Sequence, residues 1–421
     1  MKDTVKKGDP STNIIRIVAI ITGLSLLGDS MLYIALPIYW EEIGLDSIWQ
    51  VGILLSINRF IRLPFSPIVG WIYTRISLKT GLAIAIILGA IATLGYGVCK
   101  GFVAWLILRG IWGIAWSFFR IGGLSSVAHF AQNGHRGEAL GLYNGIYRLG
   151  SLFGMLMGGF FVPFLGVEIV SIIFGCLSLI GLPILIHSFN TNQYKVESGE
   201  AVEKSKKFPV PSKVQKRIVI IVSGFLTAML IQGVFTSTLS NVIERVHGQP
   251  INLLGLIISV TLLSGMIQAA RYVWEPFVAR KVGLWSDGPN GRIPMYVISL
   301  LMVGLTFGFI SIDLPVGLWI MITLLFMLGA TAITTLSDAI ALDVAKSSNV
   351  VAFLTVYSVA QDIGAALGPL IGFMIMEQKL GFAYLYWGGT VIFFMLSVAW
   401  ILLYTRKKSS LLCSSENRER A

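Results

Sequence analysis

Apolar and polar positions fall along this chain in long blocks. Runs at 14–39, 50–73, 81–99, 102–126, 139–165, 167–188, 217–243, 254–279, 293–311, 315–337, 350–376 and 381–404 are mostly apolar, with short polar segments between them. About 20 mostly apolar residues are needed for a helix to cross the hydrocarbon core. The pattern therefore predicts an all-α integral membrane protein with twelve transmembrane helices. The first run carries Asp29 and no small-residue cleavage site, so it is expected to span rather than to be cleaved as a signal peptide.

One polar segment stands apart. Residues 190–216 mix both charge signs and carry Pro209 and Pro211, a composition that reads as a flexible linker. It divides the chain into an N-terminal six-helix half (1–189), the linker (190–216), a C-terminal six-helix half (217–405) and a tail (406–421). The halves repeat. A shift of 214 residues lays Tyr143, Gly150, Gly154 and Gly158 on Tyr357, Gly364, Gly368 and Gly372, and a shift of 213 lays Gly70 on Gly283. Glycines four apart make a flat helix face that admits a close neighbour. Two such ridges at equivalent places predict pseudo-symmetric halves, the sequence sign of a transporter with its site between repeats.

Composition agrees. Of 421 residues 55% are hydrophobic and only 13% charged, about half the charged share of a soluble protein. The net charge of +11 would in a soluble domain raise nucleic acid as a partner. Here the basic residues lie in the segments that would face the cytoplasm: Arg75, Lys79, Arg136, the run from Lys195 to Arg217, Arg280, Lys281, Arg292, Lys346 and Arg406 to Lys408. The opposite segments keep Lys100, Arg245 and Lys379, and the first of them is acidic (Glu41, Glu42, Asp46). Positive charge on one side sets orientation, so both termini are expected in the cytoplasm of a cell-membrane protein, with no nucleic acid bound. The scattered Cys99, Cys176 and Cys413 and four histidines offer no metal site or disulfide framework. The chain has no G-x-x-x-x-G-K-[ST] loop for ATP, and no cofactor is expected.

In this frame several short motifs become informative. Gly70-Trp-Ile-Tyr-Thr-Arg75-Ile-Ser-Leu-Lys79 follows the second run, and Gly283-Leu-Trp-Ser-Asp287-Gly-Pro-Asn-Gly291-Arg292 follows the eighth. The fourth run holds Arg109-Gly-Ile-Trp112-Gly113. The fifth holds Gly150-Ser-Leu-Phe-Gly154-Met155-Leu-Met-Gly158-Gly159, and the eleventh Gly364-Ala-Ala-Leu-Gly368-Pro369-Leu-Ile-Gly372. Together these resemble the major facilitator superfamily over the whole chain: its G-x-L-x-D-R-x-G-R-[RK] loops, its R-x-x-Q-G signature, and the G-x-x-x-G-P-x-x-G-G signature of its drug and metabolite antiporters. Thr74, Trp112 and Met155 depart from those patterns. The resemblance implies the two-half major facilitator fold. It also implies loops at Gly70 and Asp287 that latch the cytoplasmic side, and glycine ridges (with Pro369) that let helices pack and move.

Ionisable groups inside a span cost at least a few kcal/mol each and are functional candidates by default. Asp29 lies deep in the first run and is the expected proton-coupling group, tuned by Arg109. Candidate substrate-binding residues are Arg59, Arg62, Trp112, Trp116, Arg120, Asn144 and Arg148 in the first half, and Gln268, Arg271, Glu275 and Asp362 in the second. Arg271 and Glu275, at i and i+4, can neutralise each other. At mid-membrane depth six arginines (Arg59, Arg62, Arg109, Arg120, Arg148, Arg271) stand against three acids (Asp29, Glu275, Asp362), a surplus that favours an anionic or zwitterionic cargo. The expected protein is a secondary transporter, not an enzyme. It would be a monomer in the bilayer exporting small amphipathic organic molecules, anionic ones included, in exchange for protons by alternating access. Organic-anion import, lipid flipping and a transport-inactive sensor or scaffold of the same fold are the alternatives.

The topology can be tested with an impermeant thiol reagent on intact cells, in a variant lacking the native cysteines. A cysteine at Asp46 is expected to label and one at Ser198 to stay protected; the reverse pattern would overturn the orientation.

Overall fold

In lipid every backbone N–H and C=O must be satisfied within the protein, and this chain does so almost wholly by helix. The computed structural model describes residues 10–131, 136–188, 211–253, 255–286, 291–345 and 350–419. Helices α1 (Pro10–Ala35), α2 (Ile48–Tyr73), α3 (Leu78–Val98), α4 (Phe102–Phe130) and α5 (Arg136–Ser188) are followed by α6 (Pro211–Thr227). A π-helical segment, Ala228–Phe235, joins α6 to α7 (Thr236–His247) without a break. After a small hairpin come α8 (Val260–Ser286), α9 (Arg292–Phe309), α10 (Val316–Ala345), α11 (Val350–Met376) and α12 (Gly381–Glu419).

Among the described residues nine helical runs are long and apolar enough to cross a membrane. One of them, Glu138–Ser188, is divided at Gly166, whose φ of 76° and ψ of 163° leave the helical region. An L side chain resists that positive φ, so only glycine breaks the run there cheaply. The break falls between the fifth and sixth apolar runs. α2 and α8 are less apolar, carrying Arg59 and Arg62 and carrying Arg271 and Glu275 respectively.

Two boundaries differ from the pattern. The run 14–39 is helical only to Ala35, because Pro37 disfavours helical geometry in the residue before it. The run 254–279 starts later, at Val260. Ile251–Leu253 and Leu256–Ile258 instead pair antiparallel, turning at Gly255 with φ 86°. Most of 190–216 lies outside the described residues, as do Lys346 and Asp287; α6 takes in the end of the linker from Pro211, and α12 continues to Glu419.

The chain forms two compact units: residues 1–200 with 237–272, and residues 201–236 with 273–421. In the first, α1 lies along α5, and the ridge Gly150, Gly154, Gly158 faces Gly23, Leu27 and Met31 of α1. A Cβ at Gly154 would stand 2.5 Å from the Leu27 carbonyl oxygen. These contacts occupy one side of α1 and leave Asp29, some 200° around the helix from Leu27, for α2 and α4. α8 begins against α5 in the same unit: Thr261 donates to the Gly159 carbonyl at 3.1 Å, and Gly265 abuts Met155. In the second unit Gly364 and Gly368 face Phe225, Met229 and Gly233, while Pro369 and Gly372 are buried. Gly70 and Gly283 differ from these, since an added Cβ at either would meet nothing within 4 Å.

Thermal unfolding in detergent separates the two kinds of glycine. Gly154→Ala is expected to destabilise by about 1–3 kcal/mol through overpacking. Gly145→Ala, on the same helix with nothing within 4 Å, should stabilise by up to about 1 kcal/mol.

Candidate functional site

A guanidinium is very costly to bury unless a carboxylate meets it. Arg109 on α4 is 0% exposed, and its Nη1 donates to Oδ1 of Asp29 on α1 at 2.5 Å. Arg109 Nε donates to the Leu54 carbonyl of α2 at 2.9 Å. Asn58 Nδ2 donates to the same Asp29 oxygen at 3.4 Å. Three helices are thus tied at one carboxylate.

One turn after Asp29, Tyr33 is buried with Arg59, Asp29, Arg109 and Arg62 as its electrostatic neighbours. Tyr96 of α3 lies beside Arg109 and stacks on Trp105 at 4.8 Å. Gly113 lets α4 press on α2, because its missing Cβ would meet the Asn58 carbonyl oxygen at 2.5 Å. That oxygen also accepts from Arg62 Nε at 3.1 Å.

The tryptophan stripe divides. Trp112 is fully buried against Gly89 of α3, in a packing position. Trp116 turns the other way: Arg62 stands 5.6 Å over its ring, and Tyr147 meets it edge-on at 5.9 Å. Asn144 is half-buried, and Arg120 and Arg148 are exposed. Arg120 is an electrostatic neighbour of Tyr143, whose hydroxyl donates to the Phe119 carbonyl at 3.4 Å.

Gln268 donates to Ser264 at 3.4 Å, and Ser264 is bonded to Ser240 of α7 at 2.9 Å. Arg271, Glu275 and Asp362 are each half-buried. In the second unit α10 runs beyond the apolar stretch 315–337 and takes in Asp338. Tyr357 donates to Asp338 at 2.9 Å, Gln361 donates to Tyr357 at 3.0 Å, and Ser337 lies 2.8 Å from the Tyr357 hydroxyl. After α2 Arg75 stands 4.0 Å over the Trp71 ring, and at the start of α9 Arg292 pairs with Asp343 at 2.5 Å.

Reasoning from sequence missed Tyr33, Asn58 and Asp338. Tyr33 had a signal in its four-residue spacing from Asp29, and Asn58 in its four-residue spacing from Arg62. The 214-residue shift that pairs Tyr143 with Tyr357 also pairs Gly123 with Ser337, and each tyrosine packs on its partner. Asp338 follows Ser337 directly.

A model of the major facilitator superfamily matches residues 18–286. The Multidrug resistance protein MdtG of Proteus mirabilis (strain HI4320) is 26% identical over 395 residues, which are 90% of this chain and 93% of that protein. A solved POT family transporter in complex with thioalcohol conjugated peptide overlays with a TM-score of 0.76 at 12% identity, covering 94% of this chain and 96% of that one. A bacterial homolog of the human lysosomal transporter Spinster, inward-facing and unoccupied, gives 0.67 at 14% identity over 94% and 97%. With its all-helical units and repeated glycine ridges, the chain belongs to the major facilitator superfamily and is a multi-pass membrane transporter, not an enzyme.

Proposed function

We propose that the protein is a proton-coupled exporter of small amphipathic organic molecules, anionic ones included, acting by alternating access of its two halves (1–189 and 217–405). The observation that carries this reading is the Asp29–Arg109 pair: a carboxylate buried at the junction of α1, α2 and α4, bound to a fully buried guanidinium. Ionised, the carboxylate neutralises Arg109. Protonated, it leaves a buried positive charge that must find another acceptor, an imbalance that a change in helix arrangement or an arriving anion would relieve. Arg59 and Arg62, grouped with Arg109 around Tyr33, and the aromatic faces of Trp116 and Tyr147 supply charge and stacking for an amphipathic anion. The likeness over nearly the whole length to a protein named for multidrug resistance supports export. The Lys and Arg distribution supports cytoplasmic termini in a cell membrane. The protein would work as a monomer, with no cofactor.

Proteoliposomes with an imposed pH gradient and a fluorescein-type organic anion test this. Wild type is expected to move the dye uphill. Asp29→Asn should lose uphill movement while retaining dye exchange at equal pH, which also shows that the variant is folded. Normal uphill transport by Asp29→Asn would exclude Asp29 as the coupling group.

A further inference from the structure

Two buried atoms beside the Asp29–Arg109 pair make no hydrogen bond with the protein, Asn58 Oδ1 and Arg109 Nη2. Both residues are 0% exposed. Chemistry fixes the amide: Nδ2 must face the Asp29 carboxylate, since Oδ1 in its place would oppose two acceptors. Asn58 Oδ1 is therefore turned away from the carboxylate. The other polar nitrogens of Arg109 are engaged, Nε by Leu54 and Nη1 by Asp29. Tyr96, whose hydroxyl also neighbours the guanidinium, donates at 3.5 Å to the Leu108 carbonyl. What remains are two atoms without a protein partner, a donor nitrogen and an acceptor oxygen, on two side chains bonded to the same carboxylate oxygen.

Buried polar groups in native proteins are nearly always satisfied, and where no protein group serves, a bound water does. We propose that Asn58 Oδ1 and Arg109 Nη2 hold one ordered water molecule beside the Asp29 carboxylate, and that Asn58 is the positioning residue through which a proton reaches it. The water accepts from Nη2, donates to Asn58 Oδ1, and has its second hydrogen free for Asp29. Both protein hydrogen bonds to Asp29 land on Oδ1, and its side chain keeps 11% of its surface exposed. Asn58 is also fixed through its backbone, by Arg62 bonding its carbonyl and by Gly113 pressing on it. The water site stands on these contacts alone; the proton role rests on the coupling proposed above for Asp29.

The test is a map of the cargo-free protein in lipid nanodiscs at a resolution that shows ordered water, with water itself as the probe. Wild type is expected to show density within hydrogen-bond distance of both atoms, and Asn58→Leu to lose it. In proteoliposomes Asn58→Leu should slow pH-driven dye transport severalfold more than it slows exchange at equal pH. Both side chains resolved with no density between them in wild type would overturn the site, and that map decides even if Asn58→Leu fails to fold. Density present with full pH-driven transport by Asn58→Leu would overturn the positioning role. The map is read without transport, so failure of the Asp29 coupling is seen separately.

Discussion

A positive charge that cannot leave the protein interior organises the first unit. Arg109 has no exposed surface, and its guanidinium stays protonated at any physiological pH. Around it the structure gathers what such a charge requires: a carboxylate from α1, a carbonyl from α2 and an amide that holds the carboxylate in place. Close helix approach makes this possible. Gly113 brings α4 onto α2, and the α5 ridge takes up the opposite side of α1. Packing and electrostatics are therefore coupled, since widening either helix contact would move Asp29 relative to Arg109.

The second unit handles polarity differently. Its hydrogen-bonded group is Asp338, Tyr357, Gln361 and Ser337, with the Tyr357 ring seated against Gly224 of α6. The equivalent place in the first unit has Tyr143 against Gly123 and no carboxylate following. A common packing frame thus carries different polar chemistry in the two repeats, as expected where duplicated halves have diverged in their sites while keeping their helix contacts.

The fold was legible because lipid imposes a blunt rule on the sequence: among the described residues the long apolar runs are helical over most of their length, and the one interruption without a polar segment, Gly166, fell where two runs met. Asp29 and Arg109 were legible for the same reason, as charges standing out against an apolar background. Asn58 and Tyr33 were not, because neutral polar and aromatic residues are common in spans and gain meaning only from what they touch. Trp112 and Trp116 show the converse. Spacing put them on one stripe, but the notch at Gly89 draws the first into packing while Arg62 meets the second. Asp338 was missed because α10 outlasts its apolar stretch by about two turns.

The contacts of the glycine ridges also record a change of length. Gly150 and Gly364 are offset by 214 residues, yet the carbonyls they abut, on Gly23 and Phe225, are offset by 202. Gly154 and Gly368 abut Leu27 and Met229 with the same offset of 202. The second repeat is therefore about a dozen residues longer than the first between this contact and its glycine ridge. Most of the difference lies in the helix itself: α1 ends at Ala35, eight residues after Leu27, whereas α7 ends at His247, eighteen after Met229, and the connections to α2 (36–47) and α8 (248–259) are twelve residues each. The π-helical turn, where Thr236 bonds the Ile231 carbonyl five residues back, lies in that longer stretch. A wider turn absorbs an extra residue without breaking a span. The extra length thus runs on beyond the ridge contacts, and the four-residue spacing of the glycines that hold each repeat together is the same in both.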